Sequence, residues 1–375
     1  MQRHSVPGLA IAVVEDADLA WQGHYGVTNI ETGSAVTERT LFQAASLSKP
    51  IFSYVVMKLV EEGRLDLDSR LADYILPSGR SDHPRMKSVT VRNVLSHSTG
   101  LPNWRDEAIE TAEFAPAFEP GTAYSYSGEA FYWLQQVVEA ITGAGVGEII
   151  SSYLLRRAGL EDMAMLWTPE RDAREVYGHA VTEGGQPLLE QSQFRREHMP
   201  RLHEVGARWG RPPASWTHHD LRVAHGVMRP HTVAPYADRP LWLWNLPGNA
   251  AIDVASSIRT TVGDYARFMT LMMASRRSSR RWQISESSRQ LMLTPQLDRP
   301  NRPLLPPGLG WGLERREDGN LFHHWGRNGA AHVSVALGDP MRRRGLVVMV
   351  NGSQGAPLVE EIVVAMTGMA YASIV

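Results

Sequence analysis

Cysteine is absent from this chain of 375 residues, which excludes disulfides, thiolate metal sites and a cysteine nucleophile and leaves the redox compartment open. Lysine is nearly absent too. Lys49, Lys58 and Lys87 are the only three, and arginine carries the rest of the positive charge. Charge imbalance is lacking: the net charge of -2 gives no electrostatic case for nucleic acid or an anionic membrane as partner. No apolar run reaches the roughly 18 residues that a membrane span needs. The N-terminal apolar run, Gly8 to Val14, is short, leads straight into Glu15 and Asp16, and shows no cleavage-like site. The expectation is a cytoplasmic protein without an export signal, taking Met1 as the start.

Several signatures of chemistry are missing as well. Asn351-Gly352-Ser353-Gln354-Gly355 approaches a G-x-S-x-G elbow but has Asn at the first glycine. His203-Glu204 is followed by Val, Gly and Ala, so no H-E-x-x-H exists. No lysine follows a glycine, which excludes a Walker loop, and the glycines at 143–147 and 308–312 lack dinucleotide spacing. His218, His219, Asp220, His225 and His231 cluster, but their spacing matches no metal-ligand pattern and they read as polar loop histidines. No cofactor and no metal is expected.

With 43% hydrophobic residues, the chain can bury a large core, as two domains or as one with an insertion. Leu9 to Val14 and Ala20 to Val27 read as two strands around a turn at Asp16 to Asp18. Leu41 to Asp66 reads as an approach and a helix that stops at Gly63. Phe131 to Thr142 places Leu134, Val137, Val138 and Ile141 on one face before Gly143, which predicts an amphipathic helix, and Val146 to Leu155 predicts another. From 168 to 249 regular periodicity is hard to find, and Pro, Gly, His and Trp abound; long irregular loops with short helices are expected there. Thr261-x-x-Asp264 resembles a capping box and opens a helix through Met273. Strands return at Trp311 to Arg315, Asn320 to Trp325, His332 to Leu337 and Gly345 to Val350, followed by a closing helix at Leu358 to Met366. Strands at both ends predict an α+β protein. One antiparallel sheet lobe comes from 1–45 and 300–375, and a mainly helical lobe from 46–299.

Ser46 and Lys49 stand three apart at the start of a helix, which puts both side chains on one face. A serine hydroxyl beside a lysine amine is one way to make a nucleophile; a capping serine followed by a surface lysine is the plain alternative. Tyr126, at a loop-to-helix junction, either points its hydroxyl into a cleft or packs. His324, at a strand end before a Gly-Asn turn, fits a general acid, a substrate contact or an exposed strand residue.

In order, the chain contains PGLAIAV, LFQAASLSKP, LDLDSRLADYILP, VTVRNVLSHSTGLPNW, PGTAYSYSGEAF, SSIRTTVGDYARFM and FHHWGRNG. This ordered set resembles the serine β-lactamase-related superfamily, related to penicillin-binding proteins. Within it, the set looks closest to the class C-like branch with its family VIII esterases, D-aminopeptidases and acyltransferases. The likeness runs from about Pro7 to Val350. It implies a β-lactamase/transpeptidase-like fold, with a central sheet flanked by helices from both termini. It further implies Ser46 as the acylated nucleophile, Lys49 as its partner, and Tyr126 as the tyrosine of a Tyr-x-Asn element that here reads Tyr126-Ser127-Gly128. His324-Trp325-Gly326 matches a Lys-Thr-Gly strand that esterase-like members write His-x-Gly. The oxyanion hole would be the backbone N–H groups of Ser46 and Arg327, and Trp104, Gly128, Trp325 and Gly326 would contact substrate. Gly128 in place of Asn and His324 in place of Lys weaken the case for a β-lactamase. A third departure is at the start, where only about seven residues precede Pro7-Gly8 although the family usually places a helix there.

The resulting expectation is a serine hydrolase working through an acyl-enzyme on a small-molecule acyl substrate. Small to medium carboxylic esters come first, and β-lactams or D-amino-acid peptides and acyl transfer second. A catalytically inactive binding protein is the reading from another class. Trp209, Trp216, Trp242 and Trp244 are expected to wall the acyl or alcohol side.

Overall fold

The computed structural model describes residues 1–76, 83–104, 115–165, 168–182, 184–190, 193–228, 253–273, 281–329, 331–368 and 371–373. Its frame is a seven-stranded antiparallel sheet. Across the sheet the strands run Ser34–Ala35, Asp18–Asn29, Gly8–Glu15, Arg344–Val350, His332–Asp339, Gly319–Asn328 and Gly312–Arg316. The first and last strands pair in the middle, from Leu9 opposite Val350 to Val14 opposite Gly345. Both are near-continuous Ala, Val, Ile and Leu because both faces are covered. Ala10, Ala12 and Val14 face the main core, while Leu9, Ile11 and Val13 face an outer layer with the C-terminal helix Gly355–Thr367. The turn between the first two strands is a two-residue loop with Asp16 and Ala17 both at positive φ, and it closes on the pair Glu15–Asp18.

At the N-terminus the flank is a single turn, Gln2–His4, tied by Arg3 and His4 to Glu361 of the C-terminal helix. On the inner face of the sheet lies the helix Val262–Thr270, against the strands Gly8–Glu15, Asp18–Asn29 and Arg344–Val350. Small residues on that face make room for it. This helix lies within the stretch 46–299 and packs on the sheet. The helix Ser48–Glu61 runs through the core and is buried from Ser48 to Met57. The Tyr265 hydroxyl donates to Leu47 O at 2.9 Å, anchoring its start.

The stretch expected to be loops is more regular than its composition suggests. It contains the helices Gln193–Trp209, which carries Pro200, and His218–Met228, together with a hairpin of Gly178–Val181 and Pro187–Glu190. Trp216 is fully buried and meets Trp209 at 4.8 Å between ring centroids, with its indole N–H donated to Arg211 O. These two tryptophans are a packing pair and not a substrate wall, and Trp242 and Trp244 lie outside the described residues. His218 and Asp220 begin a helix rather than a loop. Asp220 and Thr217 exchange capping hydrogen bonds, and His218 donates its backbone N–H to Glu139 Oε2 at 2.7 Å. His231 lies outside the described residues, as do the side-chain surroundings of His225.

Candidate active site

Ser46 sits in the short 3-10 turn Ala45–Leu47 that leads into the helix Ser48–Glu61. The Leu47 N–H turns back to Ala44 O at 3.0 Å, closing the turn on itself. Ala45 is held at φ 50, a left-handed conformation that costs a non-glycine residue about 1–2 kcal/mol. The strain is maintained by burial of Ala44, Ala45 and Leu47, among which Ser46 alone keeps partial access to solvent.

Lys49, one turn on, is wholly buried, whereas Lys58 pairs with Glu61 and Lys87 is exposed. Its Nζ lies 3.2 Å from Ser46 Oγ and donates to Ala255 O at 3.0 Å. The amine also lies 4.7 Å from the centroid of the Tyr126 ring and 5.6 Å from that of Phe131. Burial pulls its pKa from 10.5 down to about 7, against the opposing charge of Asp253.

Tyr126 precedes the helix Gly128–Thr142, whose N-cap Ser127 accepts the Ala130 N–H. Burial raises the Tyr126 pKa, and the Ser46 hydroxyl, close by but short of full hydrogen-bond geometry, partly offsets this. The structure thus gathers Ser46, Lys49 and Tyr126 around one point. His324 joins them, with its ring 6.1 Å from that of Tyr126. His324 Nδ1 lies 2.7 Å from Trp325 O, and since a carbonyl only accepts, Nδ1 carries the proton and Nε2 is an acceptor. Burial, and after it the charge of Lys49, lowers this histidine to about 3, so it is neutral near pH 7.

Gly326 allows the strand Gly319–Asn328 to lie against the Ser46 turn. A Cβ there would stand 2.3 Å from Ala44 O and 2.2 Å from Ser334 Oγ, which itself donates to Ala44 O. Asn328 ties the same strand to Gln43 Oε1 at 2.9 Å. Pairing with Gly312–Arg316 ends at His323, and the edge from His324 to Asn328 borders the Ser46 turn. Arg327 follows Gly326 on that edge, with its side chain exposed. Trp325 differs from the expectation. Strand alternation turns its indole to the outer face, where it packs with the second core and donates to Ser373 O at 2.8 Å. Its side chain is therefore removed from the cleft.

Gly128 and Trp104 meet directly: a Cβ at 128 would lie 2.5 Å from Trp104 Cη2 and Cζ2. The indole fills the space that a side chain at 128 would need. The Gly128 N–H is donated to Asn103 Oδ1 at 3.0 Å, which fixes the Trp104 loop to the start of the helix.

Two residues went unnoticed in the sequence. His97, at φ 52, stacks on Tyr126 with 4.2 Å between centroids and accepts the Ser127 N–H on Nδ1. It is fixed neutral, its pKa far below 6.5 through burial first and the nearby Lys49 second. The only signal was its place in the loop SHSTGLPNW, and stacking leaves no mark in spacing. Asp253 is 2% exposed and stands beside Lys49, yet it follows an aperiodic stretch that gave it no context.

A family model described as Beta-lactamase matches residues 1–366. The chain belongs to the beta-lactamase family. Among its curated relatives, penicillin-binding protein 4 of Amycolatopsis lactamdurans is 32% identical over 185 residues, covering 46% of this chain and 47% of that protein. Esterase EstB of Burkholderia gladioli is 29% identical over 203 residues, covering 46% and 50%. A beta-lactamase of Pseudomonas fluorescens is 25% identical over 197 residues, covering 50% and 53%. These alignments span about half the length of each relative. The fold as a whole is similar to that of the octameric penicillin-binding protein homologue from Pyrococcus abyssi, with a TM-score of 0.70 at 19% identity, covering 99% of this chain and 75% of that one. The penicillin-binding protein of Bacillus halodurans gives a TM-score of 0.68 at 18% identity, covering 98% and 97%. At these identities the likeness shows the fold, an α+β architecture of the penicillin-binding protein and β-lactamase type.

Proposed function

We propose that this protein is a serine hydrolase that forms an acyl-enzyme on Ser46 and acts on small to medium carboxylic esters. The observation that carries the reading is the wholly buried Lys49 amine, 3.2 Å from a partly accessible serine hydroxyl and depressed to about 7. A neutral amine at that distance takes the Ser46 proton as Oγ bonds to the acyl carbon. The N–H groups of Ser46 and Arg327 receive the oxyanion, each such donor being worth roughly 3 kcal/mol. The tetrahedral intermediate collapses as the alkoxide leaves with a proton supplied by Lys49 through Tyr126. Water, deprotonated by the same groups, then releases the acid.

Two features favour esters over β-lactams. Position 128 offers no side chain amide, because Trp104 stands in its place. His324 is neutral, so the strand holds no fixed cation there for a substrate carboxylate. β-Lactams and D-amino-acid amides are the alternative acyl donors, and a relative named penicillin-binding protein keeps them in the comparison. A fluorophosphonate is expected to label the wild type, to label Lys49→Ala slowly, and to leave Ser46→Ala untouched. Comparison of kcat/KM over short-chain p-nitrophenyl esters, nitrocefin and D-amino-acid amides should favour the esters. If nitrocefin leads the panel, the ester assignment is wrong. Absence of labelling from about pH 6 to 10 supports a binding protein of the same fold.

A further inference from the structure

The buried carboxylate of Asp253 belongs to no step described so far. It lies at the head of a segment that touches the Ser46 turn, Lys49, the helix Gly128–Thr142 and the His324 strand. Val254 N–H donates to Gln135 Oε1 at 3.1 Å on the helix Gly128–Thr142. Ala255 O accepts the Lys49 amine at 3.0 Å. Ser256 O accepts Asn328 Nδ2 at 3.3 Å from the His324 strand. Ile258 N–H donates to Ser48 Oγ at 3.1 Å, and Ile258 O accepts the Ala44 N–H at 2.9 Å, on either side of the nucleophile. Within the segment, Asp253 takes the hydroxyls of Ser256 at 3.0 Å and Ser257 at 2.8 Å and donates its own N–H to Ser257 Oγ at 2.9 Å. The carboxylate thus closes a tight loop around Ala255, the residue whose carbonyl holds the lysine.

We propose that Asp253 is a positioning residue for the lysine base. Through its loop it aims the Ala255 carbonyl at Lys49, and its negative charge stabilises the ammonium that forms when Lys49 takes the Ser46 proton. In that step the Ser46 O–H bond breaks, an N–H bond forms on Lys49, and Oγ bonds to the acyl carbon. The proton later leaves with the alkoxide, and Asp253 gains and loses none. The inference rests on the reading of Ser46 as nucleophile and Lys49 as base.

Asp253 is the group that can fill this role because the others around Lys49 are neutral. His97 and His324 are buried and pushed below their ordinary range, and the Tyr126 phenol is pushed above its own. Tyr132 is raised as well, by burial first and then by Glu139, Asp253 and Glu129, against Arg222. Glu139 is engaged by Gln135 Nε2 and His218. Burial raises the Asp253 carboxyl above its ordinary range, and the hydroxyls of Ser257 and Ser256, the charge of Lys49 and the Ala255 N–H offset only part of that rise.

The test is the pH profile of kcat/KM for a p-nitrophenyl ester, measured on the full chain. The wild type should show an acid limb near 7, where Lys49 loses its proton. Removing the negative charge with Asp253→Asn makes the ammonium less stable. The limb then moves down by about half a unit or more, and the plateau falls about tenfold or more. Asp253→Glu keeps the charge and strains the loop, so it should lower the plateau with the limb held at or above that of the wild type. A limb that stays at the wild-type pH in Asp253→Asn, with only the plateau reduced, overturns the proposal and leaves a structural role. So does a downward shift in Asp253→Glu, which also decides the matter should the Asn variant fail to fold. Fluorophosphonate labelling separates this failure from that of the parent reading: if Ser46→Ala is still labelled, the nucleophile assignment falls whatever Asp253 does.

Discussion

At the scale of single residues, burial sets the charge state of the amine and the two imidazoles gathered at the site. Lys49, His97 and His324 all lose basicity by burial, and the two histidines are lowered further by the lysine. The lysine is the group left titrating near neutral pH. In the proposed mechanism its neutral form is the base, so kcat/KM should rise as pH climbs through about 7 and be lost below it. Lys49→Ala should lower kcat/KM by about 10²–10⁴. A limb near 4–5, the range of an unperturbed carboxyl, would assign the base to another group. Trp104 and Gly128 form a second residue-scale unit. Gly128→Asn drives a side chain into the indole, with an expected cost of about 1–3 kcal/mol in urea unfolding. In a Trp104→Ala background the same change should cost less by about 1 kcal/mol, a coupling that a double-mutant cycle reads directly. Equal costs in both backgrounds would mean that the two do not compete for space.

At the scale of elements, the proposed mechanism depends on the contact between the Ser46 turn and the His324 strand. Gly326→Ala places a methyl against Ala44 O, a backbone atom fixed by Ser334 and by the strained Ala45. The strand must retreat, and with it Arg327 and His324. The expected result is a loss of about 1–3 kcal/mol in stability together with a large fall in kcat. Retained kcat would show that the strand edge takes no part in oxyanion stabilisation. The sequence made much of these elements legible. The helix before Gly63, the helix that ends at Gly143 and the terminal strands all carry local signals: periodicity and left-handed glycine caps. What it left illegible has physical causes. The helix Gln193–Trp209 has a proline inside and a polar composition, so no apolar stripe announces it. Ser46 and Tyr126 are brought together by packing across 80 positions, which no local period encodes. The role proposed for them together was implied by family resemblance, not by spacing. Trp325 was misplaced because the motif names three consecutive residues, while a strand turns the middle one to the opposite face.

At the scale of the whole molecule, one sheet separates two tasks. Its inner face and the helix Val262–Thr270 back the site, and its outer face with the helix Gly355–Thr367 forms a separate apolar layer. That layer includes Val359, fully buried, and none of Ser46, Lys49, Tyr126 and His324. Val359→Ala should cost about 2 kcal/mol of stability and leave kcat/KM per folded molecule unchanged. A matching loss of kcat/KM would mean that the outer layer controls the cleft. Strands from both chain ends meet at the centre of this sheet, so neither end forms a lobe without the other. Among the described residues, no single helix is long and apolar enough to cross a membrane.

The central claim is that the acyl group passes through Ser46. Its most direct test is acid-quenching of the protein during turnover of a p-nitrophenyl ester, followed by mass measurement of the peptide that contains residue 46. The account predicts the mass of one acyl group on Ser46 that decays as substrate is exhausted, and no turnover by Ser46→Ala above the uncatalysed rate. Turnover with no acyl mass on that peptide, or wild-type turnover by Ser46→Ala, would contradict it.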